Sequence, residues 1–274
     1  MPSLVDLSQP EQLLRAFIKT RASLGEEEVV CWWSGRVYSL VPGEPSRFLF
    51  AVEGYNICRC RPIPEGYEQL SREMMVYQDP NEHSILERWA NPFTGEEVEV
   101  VPVWNDPVNQ RYLLEGPQGP FTLQVTPLEG GRLCLALDVL LAYPSPLPRA
   151  LYPRYSQSDL YQGAELFQFF VSHDDLGNEK LSSAPCEIAW TRIGPWLPWM
   201  AMGDHPGWLL YQCRGCKLQG GYAALPASLR SFVERYQPHY QHAPTEWSGP
   251  NESSWSYFKK KLLGNQESRL EEAD

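Results

Sequence analysis

The sequence predicts a mainly β protein built on one large antiparallel sheet, with a helix at its start and short helices near its end. Three observations predict this. From residue 28 onward most runs are rich in Val, aromatic and β-branched residues and are broken by Gly, Pro, Asn and Asp, the composition of strands between turns. Several of these runs are joined by only a few residues, which makes neighbours antiparallel. A sheet of about ten such strands rarely stays flat and open, so it is expected to close into a single barrel of the calycin or lipocalin kind or to fold into two packed layers.

The first element is a helix over residues 9–23. Ser8 and Glu11 have capping-box spacing, and Pro10 falls in the first turn, where its missing N–H is harmless. Leu13, Leu14, Phe17 and Ile18 form its apolar stripe. After an acidic turn, strands are expected at 28–40, 47–61, 67–77, 84–90, 97–104, 121–127, 132–142, 160–173, 186–193 and 207–213. Turn chemistry marks three joins: Val41-Pro42-Gly43-Glu44-Pro45-Ser46, Asn91-Pro92-Phe93-Thr94-Gly95 and Glu129-Gly130-Gly131. Two Pro-rich passages, 143–155 and 194–206, are too apolar for linkers and are expected to pack as rims or lids over an opening. Residues 226–236 and 251–263 read as helices, the second with Ser253 or Ser254 near its cap and Lys259 to Lys261 in its last turn. No repeat or composition break divides the chain, so residues 1–264 are expected to form one domain and 265–274 an acidic flexible tail.

Composition excludes several function classes. Among 274 residues, 34 acidic against 23 basic side chains give a formal charge of −11, which opposes binding to nucleic acid or to an anionic membrane surface. No apolar run approaches the roughly 20 residues of a membrane span, and the start lacks the pattern of a secretory signal, so a cytoplasmic chain is expected. Seven cysteines show no dense framework, in keeping with a reducing compartment. Cys213 and Cys216 form a lone C-x-x-C without a second ligand pair, and His173 and His205 lack companions at metal-binding spacing, so no metal is expected. Phosphate loops, the dinucleotide fingerprint and the G-x-S-x-G elbow are absent, and no cofactor is expected.

Several segments carry a resemblance. These are Trp32-Trp33-Ser34-Gly35-Arg36-Val37-Tyr38, Val52-Glu53-Gly54-Tyr55-Asn56, Trp89-Ala90-Asn91-Pro92-Phe93-Thr94-Gly95, Trp104-Asn105-Asp106-Pro107-Val108-Asn109, Gly194-Pro195-Trp196-Leu197-Pro198-Trp199-Met200 and Asn251-Glu252-Ser253-Ser254-Trp255-Ser256-Tyr257-Phe258. Over roughly residues 11–260 the chain resembles the bacterial family called domain of unknown function 1838. The resemblance implies a single unit, a bacterial and specifically cyanobacterial setting, and no mechanism that carries over.

The aromatic excess, 10 Trp, 14 Tyr and 10 Phe, suggests a cavity. If the first hairpin pairs residues whose numbers sum to about 87, Ser34 faces Glu53, Arg36 faces Ala51 and Tyr38 faces Leu49. Trp32, Ser34, Arg36, Tyr38, Glu53 and Tyr55 then share a mixed face, while Cys31, Trp33, Val37, Phe50, Val52 and Asn56 share a plainer one. The mixed face as lumen would supply an Arg36 and Glu53 pair; as an outer face it would be a surface ion pair. Asp106 follows a strand end and suits either a general base or a turn cap. Glu165 lies among Leu166, Phe167, Phe169 and Phe170, whose desolvation would tune it for proton transfer, unless an Arg pairs with it across the sheet.

Three functions follow. The first is acid/base chemistry on a small, mainly apolar substrate, of isomerase, cyclase, lyase or hydrolase type, with Arg36, Glu53, Glu165 and Asp106 as catalytic candidates. Trp32, Tyr38, Tyr55, Trp89, Trp104, Trp196, Trp199, Met200 and Met202 are the expected ligand-binding residues. The second is a non-catalytic carrier or sensor of a pigment, lipid or terpenoid in the same cavity. The third is an assembly protein that docks a partner through its Trp-rich loops. The sequence does not decide between enzyme and binder.

Overall fold

A computed structural model describes residues 5–117 and 119–271, with side chains described to residue 264. Helix α1 (Pro10–Arg21) is followed by three long strands, β1 (Val29–Leu40), β2 (Arg47–Ile63) and β3 (Gly66–Gln78). Short strands come next: β4 (Arg88–Ala90), β5 (Glu97–Glu99), β6 (Val103–Asn105), β7 (Gln110–Leu113), β8 (Glu115–Gly116), β9 (Gly119–Pro120) and β10 (Gln124–Leu128). The second half holds β11 (Arg132–Pro144), β12 (Leu160–Ser172), the single turn α2 (His173–Gly177), β13 (Glu187–Gly194) and β14 (Trp208–Leu218). Helices α3 (Ala227–Tyr236) and α4 (Ser254–Glu271) close the chain.

Among the described residues, ten strands form one antiparallel sheet in the order β10-β11-β12-β13-β14-β1-β2-β3-β6, with β7 also paired to β3. The mainly β class and the N-terminal helix are as expected. The expected closure into a ring is not among the pairings: the path is open, with β10 at one end and β6 and β7 at the other. The sheet is nonetheless strongly curled. Phe17 of α1 packs on Tyr112 of β7 (5.2 Å between ring centres) and on Phe169 of β12 (5.8 Å), so side chains near the two ends of the path meet on one ring.

Helix α1 forms where its stripe predicts, and Leu13, Leu14, Phe17 and Ile18 are buried. Its capping box does not form. Gln9 occupies the cap position without a side-chain bond, and Ser8 Oγ donates to Asp6 Oδ1 (2.6 Å) instead. The helix fills one end of the curl, against Cys31, Cys58 and Cys60 on one side and Leu135 and Val171 on the other. The opposite end is filled by the loop 195–203, the β4–β5 hairpin and the start of α4. Helix α3 covers the outer face of β1 to β3, where Leu229 and Val233 pack with Tyr55 and Met74.

The β1–β2 register runs as expected through Ser34 opposite Glu53 and Arg36 opposite Ala51. A bulge after Val37 then gives β2 one extra residue, so Tyr38 faces Phe48 rather than Leu49. The strand expected at 97–104 is two strands in different sheets, because Pro102 between them has no N–H for a ladder. The strand expected at 84–90 shortens to β4. Strand β14 runs on past Cys213 through Gly215, where a Cβ would lie 2.0 Å from the carbonyl oxygen of Trp32; glycine here serves close approach within the ladder. Ser253 Oγ accepts from Ser256 N–H (3.2 Å) at the start of α4. That helix continues through Glu271, so Lys259 to Lys261 sit within it rather than in its last turn. Of the expected acidic tail, 265–271 belong to α4 in backbone, and 272–274 lie outside the described residues.

Candidate functional site

Alternation along the curled strands sends one residue in two toward the axis of the curl. Near its middle the side chains enclose a cavity of about 440 Å³, within the size range of small-molecule sites. Leu137 and Val139 of β11 and Gln110 to Leu113 of β7 line the same space, which is why the open path still makes a cup.

The cavity has two unlike walls. Along β2 and β3 the wall is polar: Asn56 lies directly across the ladder from Glu73, and Ser71 and Gln69 follow at alternate positions on β3. Arg21, in the last turn of α1, reaches in and donates from Nη2 to Asn56 Oδ1 (2.8 Å), with Nη1 3.3 Å from Cys31 Sγ. Asn109 accepts from Ser71 N–H through Oδ1 (3.0 Å), and its own backbone is held by Asn251 at 2.7 Å. Along β11 to β13 the wall is apolar, made by Leu137, Val139, Phe167, Phe169, Ile188 and Trp190. Trp33 of β1 lies between the two walls and meets Trp190 edge to face at 5.7 Å.

Glu165 is the one acid on the apolar side. Arg192, across the β12–β13 ladder, approaches it at 3.5 Å and donates to Tyr161 Oη at 2.7 Å. The same guanidinium lies over the rings of Tyr211 (5.0 Å) and Trp255 (5.7 Å), so the pair is anchored in the core. Glu73 has some surface, but that surface faces the cavity, and protein surrounds the carboxyl. Burial, and then the charge of Glu165, push its pKa up to about 7, against the pull of Arg192, Arg21 and a long bond from Asn105 (3.4 Å). Two carboxyl groups of unlike character therefore face one space, one paired with arginine and one titrating near neutrality.

Of the four acid/base candidates read from the sequence, only Glu165 faces this cavity, and it does pair with an Arg across the sheet. Arg36 and Glu53 lie on the outer face and do not pair with each other: Arg36 is exposed over the Phe48 ring (5.6 Å), and Glu53 accepts from Trp32 Nε1 (3.1 Å) and Gln78 Nε2 (3.4 Å). Burial raises the pKa of Glu53. Asp106 is bound by Arg72 Nε at 2.7 Å, with His239 3.5 Å away, on the outer side of β3. These three do not meet Glu165.

The expected ligand-binding aromatics divide into two groups, neither lining the central cavity. Trp32, Tyr38, Tyr55 and Trp104 belong to the outer face; Tyr55 Oη donates to the Tyr240 carbonyl (2.8 Å), and Trp104 stacks on Phe232. Trp89, Trp196, Trp199, Met200 and Met202 form the plug at the end of the cup, with Trp199 against Tyr77 at 5.2 Å and Trp89 at 5.9 Å. The Pro-rich loop is thus buried core rather than a lid, and its Trp and Met side chains are at most 5% exposed. Glu73, Arg192, Arg21, Trp33 and Trp190 are what the sequence reading missed. The available signal was an acid or arginine alternating with aromatics on one strand face, as in Glu73-Met75-Tyr77 and Trp190-Arg192.

Cys213 and Cys216, three apart on a strand, point to opposite faces and do not converge on one ion. His205 packs on Phe93 (5.1 Å), while His173 lies near the Val5 carbonyl (3.4 Å). Among the described residues no three His, Cys, Asp or Glu side chains gather as a metal set, and no helix is long and apolar enough to cross a membrane.

A family model described as "Protein of unknown function (DUF1838)" matches residues 26–262. Comparison with curated proteins gives no match.

Proposed function

The chain belongs to the DUF1838 family of proteins of unknown function, and from its two-walled cavity we propose that it is an enzyme that moves protons on a small, mainly apolar molecule held inside a calycin-like cup. The observation that carries this is the placement of Glu73 and Glu165 on one cavity, only one of them paired with arginine. Glu73 is suited to accept and return a proton near neutral pH, where neither of its forms is scarce. Glu165 lies 3.5 Å from Arg192, and its charge favours protonation of Glu73. The indole N–H groups of Trp33 and Trp190, on side chains that line the cavity, have no hydrogen-bond partner among the described residues, and a small turn of either ring would aim a donor at negative charge developing on a substrate oxygen. Isomerisation, cyclisation, elimination and hydrolysis all use these parts and need no nucleotide cofactor. A carrier of the same ligand would have no use for an acid tuned to neutrality.

The test is to incubate the protein with a small-molecule extract of bacterial cells and follow composition by mass spectrometry, beside Glu73→Gln. Wild type should deplete one compound and form an isomer or a hydration or dehydration product, while Glu73→Gln retains the compound unconverted. Retention without conversion by both proteins would replace catalysis with carriage.

A further inference from the structure

Arg21 is a cation inside the protein with no acid of its own. Among the described residues its guanidinium contacts are Asn56 Oδ1 and the sulfurs of Cys31 and Cys58, and no carboxylate lies within ion-pair distance. Removing an arginine from water without a counter-charge is costly, and three weak or neutral acceptors do not use its five N–H donors. Glu73, the carboxyl group whose charge acts on Arg21, faces Asn56 across the ladder, and burial favours its neutral form, so it neutralises Arg21 only in part.

A second, independent observation points the same way. Among the described residues, four side-chain polar atoms on residues lining the cavity are buried without a hydrogen-bond partner: Trp33 Nε1, Trp190 Nε1, Asn109 Nδ2 and Gln69 Oε1. Three are donors and one is an acceptor. The Asn109 assignment is fixed by its own bonding, since Oδ1 accepts from Ser71 N–H and leaves Nδ2 as the free donor on a residue 2% exposed. Arg21 and Asn109 lie on one contiguous patch: Arg21 is tied to Asn56, Asn56 pairs with Glu73, Ser71 is two residues back on the same face, and Asn109 is tied to Ser71. Opposite them the wall is apolar.

We propose that the cavity selects an amphipathic organic carboxylate, its anionic head on Arg21 and Asn109 and its apolar body along Phe167, Phe169, Ile188 and Leu137. A carboxylate is acceptor-only, matches the arginine fork and supplies the missing counter-charge. The apolar body gains by leaving water for the opposite wall. This rests on the reading of the cavity as the functional site and names the class of molecule that enters it. The head would lie beside Glu73, which places the proton-carrying group within reach of the atoms next to the carboxylate.

Titration calorimetry with decanoate and 3-phenylpropanoate, each beside its uncharged primary amide, tests the assignment on unaltered protein. At least one carboxylate should bind about tenfold or more tightly than its amide, the size expected for a charge-assisted bond in a buried site. Arg21→Met should erase that difference, lowering carboxylate affinity far more than amide affinity, and Arg21→Lys should keep part of it. Equal affinity of acid and amide, a preference that survives Arg21→Met, or no binding of any probe at millimolar concentration would each overturn the proposal. Carboxylate binding without turnover by any route would leave this site standing and end the catalytic reading. Turnover of a neutral compound with carboxylates excluded would do the reverse.

Discussion

A carboxyl group that titrates near 7 when folded but near 4.5 when unfolded holds its proton more tightly in the folded state. For Glu73 this means that stability falls as pH rises through that window, since the unfolded chain binds fewer protons there, and that the full penalty is present above it. Glu73 is faced by Arg21 from α1, Arg192 from β13, Glu165 from β12 and the Asn105 amide from β6, and burial together with Glu165 outweighs the two arginines and the amide. Glu73→Gln should flatten the slope between pH 5 and 7 and raise the unfolding free energy at pH 8 by about 3 kcal/mol, measured by denaturation across pH. An unchanged slope would place the titration elsewhere. At this scale the sequence was only partly legible. The Ser34–Glu53 register follows from the length of a turn, and so do the two faces of the hairpin. Which face points inward depends on how the whole sheet curls, and period-2 alternation is the same for either choice. The side chains of Trp33 and Asn56 therefore read as plain core, while Arg36 and Glu53 read as the charged pair of a lumen.

Among the elements, α1 is held in a way its sequence does not announce. Lys217 of β14 is 5% exposed and donates from Nζ to the carbonyls of Lys19 (2.8 Å) and Ala22 (3.0 Å), which capture the last turn of the helix. Lys19, itself 3% exposed, donates onward to the carbonyls of Leu176 and Asn178, so two buried ammonium groups join the helix to β14 and to the α2 turn. Burial pushes the Lys217 pKa down to about 8. Lys217→Met should cost about 2 kcal/mol and speed hydrogen exchange across α1 while β1 to β3 stay protected, because the loss falls on carbonyls left unsatisfied at one helix end. Uniformly faster exchange would show that the latch serves the whole fold. The strands and helices themselves were legible wherever composition and turn chemistry agreed. They were misjudged where a proline split a run, as at Pro102, or where a glycine served packing rather than a break, as at Gly215.

In the whole molecule, the division of labour is between two stoppers and a cup. Helix α1 fills one end, the Trp-rich loop with the β4–β5 hairpin and α4 fills the other, and the polar belt lies between them. The sequence made the large antiparallel sheet and the two apolar Pro-rich passages visible, but whether such a passage covers an opening or stops it depends on contacts between residues far apart in the chain, such as Asn91 Nδ2 donating to the Met200 carbonyl (2.8 Å) across 109 positions. The open strand path has a mechanical consequence. No ladder joins β10 and β11 to β6 and β7; near α1 the junction is Phe17 packed on Tyr112, Phe121 and Phe169. The cup is a split hoop closed by a clasp of rings, and widening it gives up dispersion contacts rather than backbone bonds. Molecules of growing girth should therefore lose affinity gradually rather than meet a fixed size limit.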